Sequence, residues 1–165
     1  MNRKGFTLIE LLATITILAM IMLAAVPNIM STLDKSKRRT YVEDAKKMIS
    51  LAEYRLRSDT TVKRPSNGQS VIFLLKSMDL TDFSEGPEGG QYDTNYSYVK
   101  LTNSGGTYVY YATLIENYGD NKHRGVVNLT RDQLLNENAI NKVSKLNAVP
   151  TISTSGVVQT VNELK

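Results

Sequence analysis

An α+β fold is what this 165-residue sequence predicts, with one long N-terminal helix packed on an antiparallel sheet. Three features of the chain carry that prediction. Residues 6–26 are an apolar run whose sole charge is Glu10, and the residues that follow keep helical spacing. Two segments rich in tyrosine, valine and threonine, "YSYVKLT" and "TYVYYATLI", flank "NSGG" as the strands of a hairpin would. Thr130 and Gln133 have the spacing of a capping box, which starts a second helix at Arg131.

The apolar run comes first. As a helix rising 1.5 Å per residue it reaches about 32 Å, enough to cross a bilayer core. A segment greasy on all sides is hard to bury inside so small a protein. A cleaved secretory signal fits poorly, because the run is too long and "LAA" at 23–25 is a weak exit. A plain membrane anchor leaves Glu10 without a partner, and a lone carboxylate in hydrocarbon costs about 2.5 kcal/mol or more. Charge leaves the orientation open. Arg3 and Lys4 precede the run, while Lys35, Lys37, Arg38 and Arg39 follow it.

"KGFTLIELL" resembles the prepilin signature of type IV pilins and pseudopilins: a short basic leader ending in glycine, then an apolar run with glutamate at its fifth position. The resemblance covers about the first 30 residues, and it implies roles position by position. Gly5 precedes the cleaved bond, and Phe6 becomes the new, N-methylated terminus. Glu10 pairs with the amine of a neighbouring subunit, a charge made favourable by its opposite in a low-dielectric setting. Pro27 matches a proline common just past the run. The chain departs from the pattern at Ala19, where many pilins carry glycine, so Pro27 alone is left to kink or soften the helix.

The resemblance thus implies a leader at 1–5, a transmembrane and assembly helix at 6–27, and a helix continuation plus a pilin-like α+β head at 28–165. It implies a structural subunit of a bacterial type IV pilus. Prepilin peptidase would process it, and assembly machinery would move it from the membrane into a homo-oligomeric surface filament. A pseudopilin of type II secretion or competence DNA uptake shares the same N-terminus. An uncleaved single-pass membrane protein is the other alternative.

Beyond Pro27, Val42, Ala45, Ile49, Ala52 and Leu56 recur at three- and four-residue spacing and draw one apolar stripe, extending the helix to about Asp59. "KRPSNGQ" at 63–69 reads as a loop. "QSVIFLLKSM" reads as a helical turn or two, with a strand as the other option. "DLTDFSEGPEGGQYD" reads as an exposed acidic loop. The hairpin follows, and "GVVNL" at 125–129 adds a third strand. The second helix is expected to run through "DQLLNENAINKVSKL", and "PTISTSGVVQTV" to form two short strands around Ser155 and Gly156.

Composition narrows the chemistry. The absence of cysteine excludes disulfides, thiolate metal sites and a cysteine nucleophile, and it fits a Gram-positive pilin. A net charge of +4 permits contact with anionic surfaces without requiring it. His123, the one histidine, lies in the polar stretch "DNKHRG" and reads as a solvated loop residue. No Ser-His-Asp set, zinc spacing or phosphate loop appears, so no enzyme and no cofactor are expected. Asp79, Asp82, Glu85, Glu88 and Asp93 form the one acidic cluster that calcium could use, but their spacing matches no EF-hand, and a solvated loop is the plainer reading. Ten basic residues between Lys35 and Arg64 could meet DNA, though a solvated helix face is the default. The tyrosines between Tyr92 and Tyr111 fit high β-propensity better than an adhesive surface.

Overall fold

The computed structural model describes residues 5–78, 83 and 85–162. The chain divides into two compact units, Met1–Ser36 and Lys37–Lys165. Helix α1 (Leu8–Ser58) supplies the first unit and opens the second.

In the first unit the helix runs unbroken through Pro27. Its apolar side chains are exposed, and a window of mean hydropathy 2.4 has no buried residue, long and apolar enough to cross a membrane. Hydroxyls inside this run bond to their own backbone. Thr14 Oγ1 donates to the Leu11 carbonyl and Thr16 Oγ1 to that of Ala13, each at 2.8 Å. A polar side chain that satisfies itself this way can enter hydrocarbon cheaply. The proline removes one backbone donor without ending the helix.

The second unit is a helix laid on a sheet. All five members of the expected stripe, Val42, Ala45, Ile49, Ala52 and Leu56, are buried, and Tyr41, Asp44 and Met48 join them. The strands are β1 (Ser70–Leu74), β2 (Gln91–Tyr92), β3 (Tyr98–Ser104), β4 (Thr107–Asn117), β5 (His123–Thr130), β6 (Ser144–Leu146) and β7 (Val157–Val161). Their order is β6-β5-β4-β3-β1-β7, with β2 paired to β4. All these pairings are antiparallel except β1 with β7, so the sheet is mixed. The hairpin of β3 and β4 turns at Gly105 and Gly106, both at positive φ, as a two-residue loop matching strand twist requires.

Alternation sorts the sheet into two faces. Val71, Phe73, Val99, Leu101, Ala112, Leu114, Val126 and Leu129 form one core with the α1 stripe. Ile72, Leu74 and Tyr98 form a smaller cluster with Ile152 and Val157. β6 and β7 lie at opposite edges, so residues 147–156 cross the sheet between them.

Four local expectations change. "QSVIFLLKSM" is first the strand β1 and then one 3-10 turn, Leu75–Ser77, because both faces of 71–74 are covered by apolar side chains. The capping box at Thr130 and Gln133 forms, but helix α2 (Arg131–Leu135) ends after five residues. Asn136 adopts an extended conformation and caps a 3-10 segment, Glu137–Lys142, which leads into β6. An asparagine competes with helix propagation by bonding the backbone itself, here Asn138 N–H at 2.9 Å. Of the two strands expected around Gly156 only the second, β7, forms. His123 opens β5 half-buried rather than sitting in a solvated loop, with Nδ1 2.6 Å from Asn117 Oδ1.

Ile49→Ala is expected to lower the stability of the head by about 2–5 kcal/mol, as truncation of a buried aliphatic does. Ile21→Ala, at an exposed position, leaves it unchanged. Urea unfolding of the full chain in detergent, followed by tyrosine fluorescence, measures both.

Candidate functional site

The helix begins where the resemblance places the processing site. Gly5 and Phe6 are exposed and precede the first helical residue, Leu8. Thr7 and Glu10 form a reciprocal cap. Thr7 N–H and Oγ1–H donate to Glu10 Oε2 at 2.9 and 2.7 Å, and Glu10 N–H reaches Thr7 Oγ1 at 3.4 Å. Such a cap satisfies donors that a helix start leaves open and puts a negative charge at the positive end of the dipole. Both side-chain bonds end on Oε2; among the described residues no hydrogen bond reaches Oε1. The Thr7 amide lies one residue beyond the Gly5–Phe6 bond, so cutting that bond leaves the cap intact.

A second polar assembly lies within the head. Lys37, Tyr41 and Asp44 follow one another at four- and three-residue spacing along α1, and each meets the loop–strand region of 85–92 and 116. Lys37 Nζ donates to Glu88 Oε2 at 2.7 Å, and Arg124 donates to the other oxygen of Glu88. Tyr41 Oη donates to the fully buried Glu116, which also accepts from Glu88 N–H at 3.0 Å and Gly90 N–H at 2.7 Å. Tyr92 Oη donates to Asp44 Oδ2 at 2.6 Å, and the Tyr41 and Tyr92 rings meet edge to face at 6.2 Å. Glycine at 86 is a requirement of this geometry, since a Cβ there would lie 2.2 Å from Glu116 Cδ.

The electrostatics follow from burial and partners. Burial works to raise the Glu88 carboxyl, but hydrogen bonds and charge from Lys37 and Arg124 outweigh it and hold it below the ordinary range. Burial pushes the Tyr41 and Tyr92 hydroxyls far up, helped by their bonds to Glu116 and Asp44, so both stay protonated donors. Residues 85–92 of the loop read as exposed and solvated therefore form a strap across the head, bound through Glu88. Its signal was available: Glu116 stands on the inward face of β4 after Ala112 and Leu114, where alternation demands an apolar residue.

Of the acidic cluster, the described members Glu85, Glu88 and Asp93 have separate surroundings. Asp79 and Asp82 lie outside the described residues. Glu85 is exposed, and Glu88 is engaged by its two cations. Asp93 accepts from Asn95 and Tyr96 N–H at 3.0 Å and from Asn117 Nδ2 at 2.9 Å. Among the described residues no three His, Asp or Glu side chains are grouped to hold a metal. Several basic residues of 35–64 are paired rather than free: Lys37 with Glu88, Lys46 with Glu43, Lys47 with Asp44 and Arg55 with Asp59. Of the tyrosines between 92 and 111, Tyr92 and Tyr98 are buried and Tyr96 and Tyr108 exposed.

Residues 1–26 match the family model described as the prokaryotic N-terminal methylation motif, the signature of type IV pilins and pseudopilins. No curated protein and no solved structure matches the chain. The match covers the N-terminal segment alone; with the apolar helix it supports a prepilin-type reading and is consistent with a membrane-anchored precursor.

Two outcomes are expected. Thr7→Ala removes the hydroxyl half of the cap and loosens the first helical turn by about 1 kcal/mol, read as faster amide exchange at Glu10 and Leu11 in micelles. Glu88→Gln destabilises the head by about 1–3 kcal/mol at pH 7. Because the folded carboxyl is depressed, its contribution is present above the unfolded value of about 4.3 and lost as pH falls through the folded one. Urea midpoints of the two proteins should therefore converge towards pH 3.

Proposed function

We propose that the protein is a structural subunit of a bacterial type IV pilus. Prepilin peptidase cuts after Gly5 and methylates the amine of Phe6. The subunit waits in the membrane through residues 6–27, and assembly machinery then draws it into a filament whose core is a bundle of these helices. The head, carried outward, is not an enzyme and supplies whatever surface the filament presents. The observation that carries this reading is the exposed apolar helix that opens on Gly5, Phe6 and Glu10 in the matched motif.

The Thr7–Glu10 cap refines Glu10's role. A carboxylate held on Oε2 by its own chain keeps a fixed position and has Oε1 to offer the Phe6 amine of a neighbour. That pairing neutralises both charges in a medium where either alone is costly. The same N-terminus would serve a secretion pseudopilus or a DNA-uptake filament. Four of the head's cations are matched by its own carboxylates, which weighs against the DNA-uptake alternative and leaves the secretion pseudopilus as the second reading.

Intact mass and N-terminal sequencing of protein from its native envelope test the pathway. The expected chain starts at Phe6 with one added methyl group, and a chain starting at Met1 contradicts the proposal. Glu10→Val is expected to be processed normally yet to lower sheared filament yield at least tenfold.

A further inference from the structure

The chain contains one Asn-Gly pair, Asn67–Gly68, in the loop that leads into β1. Such a pair can rearrange without an enzyme. The Gly68 backbone nitrogen gives up its proton and bonds to Asn67 Cγ while the Cγ–Nδ2 bond breaks, and the carboxamide nitrogen leaves with that proton as ammonia. Water then opens the resulting succinimide at one carbonyl or the other. The product is aspartate, or isoaspartate in which the backbone runs through the former side chain. Glycine favours the reaction because no side chain shields its nitrogen. Both residues are exposed, so water reaches the bond.

The fold holds the reacting atoms apart. Gln69 N–H donates to the Ser66 carbonyl at 2.9 Å and Gly68 has a φ of 78°, so residues 66–69 make a type II turn with Asn67 and Gly68 at its centre. A residue in the place of Asn67 in such a turn has ψ of about +120°. Ring closure needs ψ of the opposite sign, which swings the next nitrogen towards the side chain. Gly68 N–H is also engaged by the Asn103 carbonyl at 2.9 Å, an acceptor too weakly basic to take the proton. The carboxamide is tied as well, since Asn67 Oδ1 accepts from Gly105 N–H at 2.8 Å. Asn103 clamps the two turns together: its Nδ2 donates to the Pro65 carbonyl and its Oδ1 accepts from Gly106 N–H, each at 2.9 Å. Pro65 itself is buried.

We infer that Asn67 is a spontaneous deamidation site gated by the β3–β4 turn, so that the reaction there records each opening of this part of the head. Opening must release Gly68 from Asn103 and Asn67 from Gly105 together, and the chemistry runs at its intrinsic rate only in the open fraction. The record is lasting. Isoaspartate adds one methylene to the backbone just before β1, whose first residue, Ser70, pairs with Thr102 and Val157. The 66–69 turn cannot then close in its original geometry, and a head that has reacted stays loosened where β1 begins.

The full-length protein is kept warm in detergent at mildly alkaline pH, and position 67 is followed by peptide mass mapping and isoaspartyl-methyltransferase labelling. The chain unfolded in concentrated guanidinium chloride supplies the intrinsic rate. The folded chain is expected to react at least tenfold more slowly. Asn103→Ala, which removes the clamp and leaves Asn67 and Gly68 in place, should react at least threefold faster than the wild type. A guanidinium series below the unfolding transition tests the gate in the wild-type chain whether or not the variant folds: the rate should climb before tyrosine fluorescence reports global unfolding. Equal rates in the folded and unfolded chains overturn the inference, as does a folded Asn103→Ala chain that reacts no faster. So does a rate that rises only in step with global unfolding, or an unfolded chain that leaves position 67 unmodified.

Discussion

A carboxyl group shut away from water must find its donors inside the protein, and much of the head is arranged around the one at Glu116. Its three donors come from distant stretches of chain: a hydroxyl of α1 and two backbone amides of the 85–90 strap. That demand explains the glycine at 86, where a side chain would collide with the carboxyl, and the close passage of the strap over β4. It also explains why Tyr41 lies among apolar neighbours. An unsatisfied buried carboxyl would cost several kcal/mol, so the strap and the helix are held by the same group. Glu88 then locks the arrangement with a cation from each side.

The two halves of α1 solve opposite problems with one backbone geometry. From Tyr41 to Leu56 the buried face of the helix carries the small residues Ala45 and Ala52 with the larger Met48 and Ile49 between them. From Leu8 to Leu33 the large apolar side chains are exposed among the described residues. The hydrophobic effect leaves such a surface two stable fates, lipid or the same surface on other copies. The proposed filament subunit would use both in succession, with Glu10, capped by Thr7, as the polar mark proposed to give the second its register.

Much of this was legible in the sequence, and the parts that were not share a cause. Period-3.6 and period-2 patterns gave α1, the β3–β4 hairpin and β5, because those elements have one face in the core and one outside. β1 escaped because both of its faces are covered, which erases alternation. α2 was overextended because Asn136 breaks it by side-chain bonding, a competition that hydrophobic spacing does not register. The belt of Lys37, Tyr41 and Asp44 was missed because polar residues at helical spacing read as solvated until the strap that binds them is in place. At the N-terminus the reading of Gly5, Phe6 and Glu10 rests on the matched motif over residues 1–26, which is local sequence rather than fold.

The position of β7 bears on how the protein is made. The last strand joins the sheet beside β1, pairing Ser70 with Val157 and Phe73 with Val161, so a contact between the first and last strands is among the final ones to become available. Contacts so distant in sequence are slow to form. Until β7 is made, β1 has β3 alone beside it, and Val157 cannot join Ile152 in the cluster on the second face. The head is therefore completed last at its β1–β7 edge. A chain shortened by even a dozen residues would lack β7 and leave β1 as an unpaired edge.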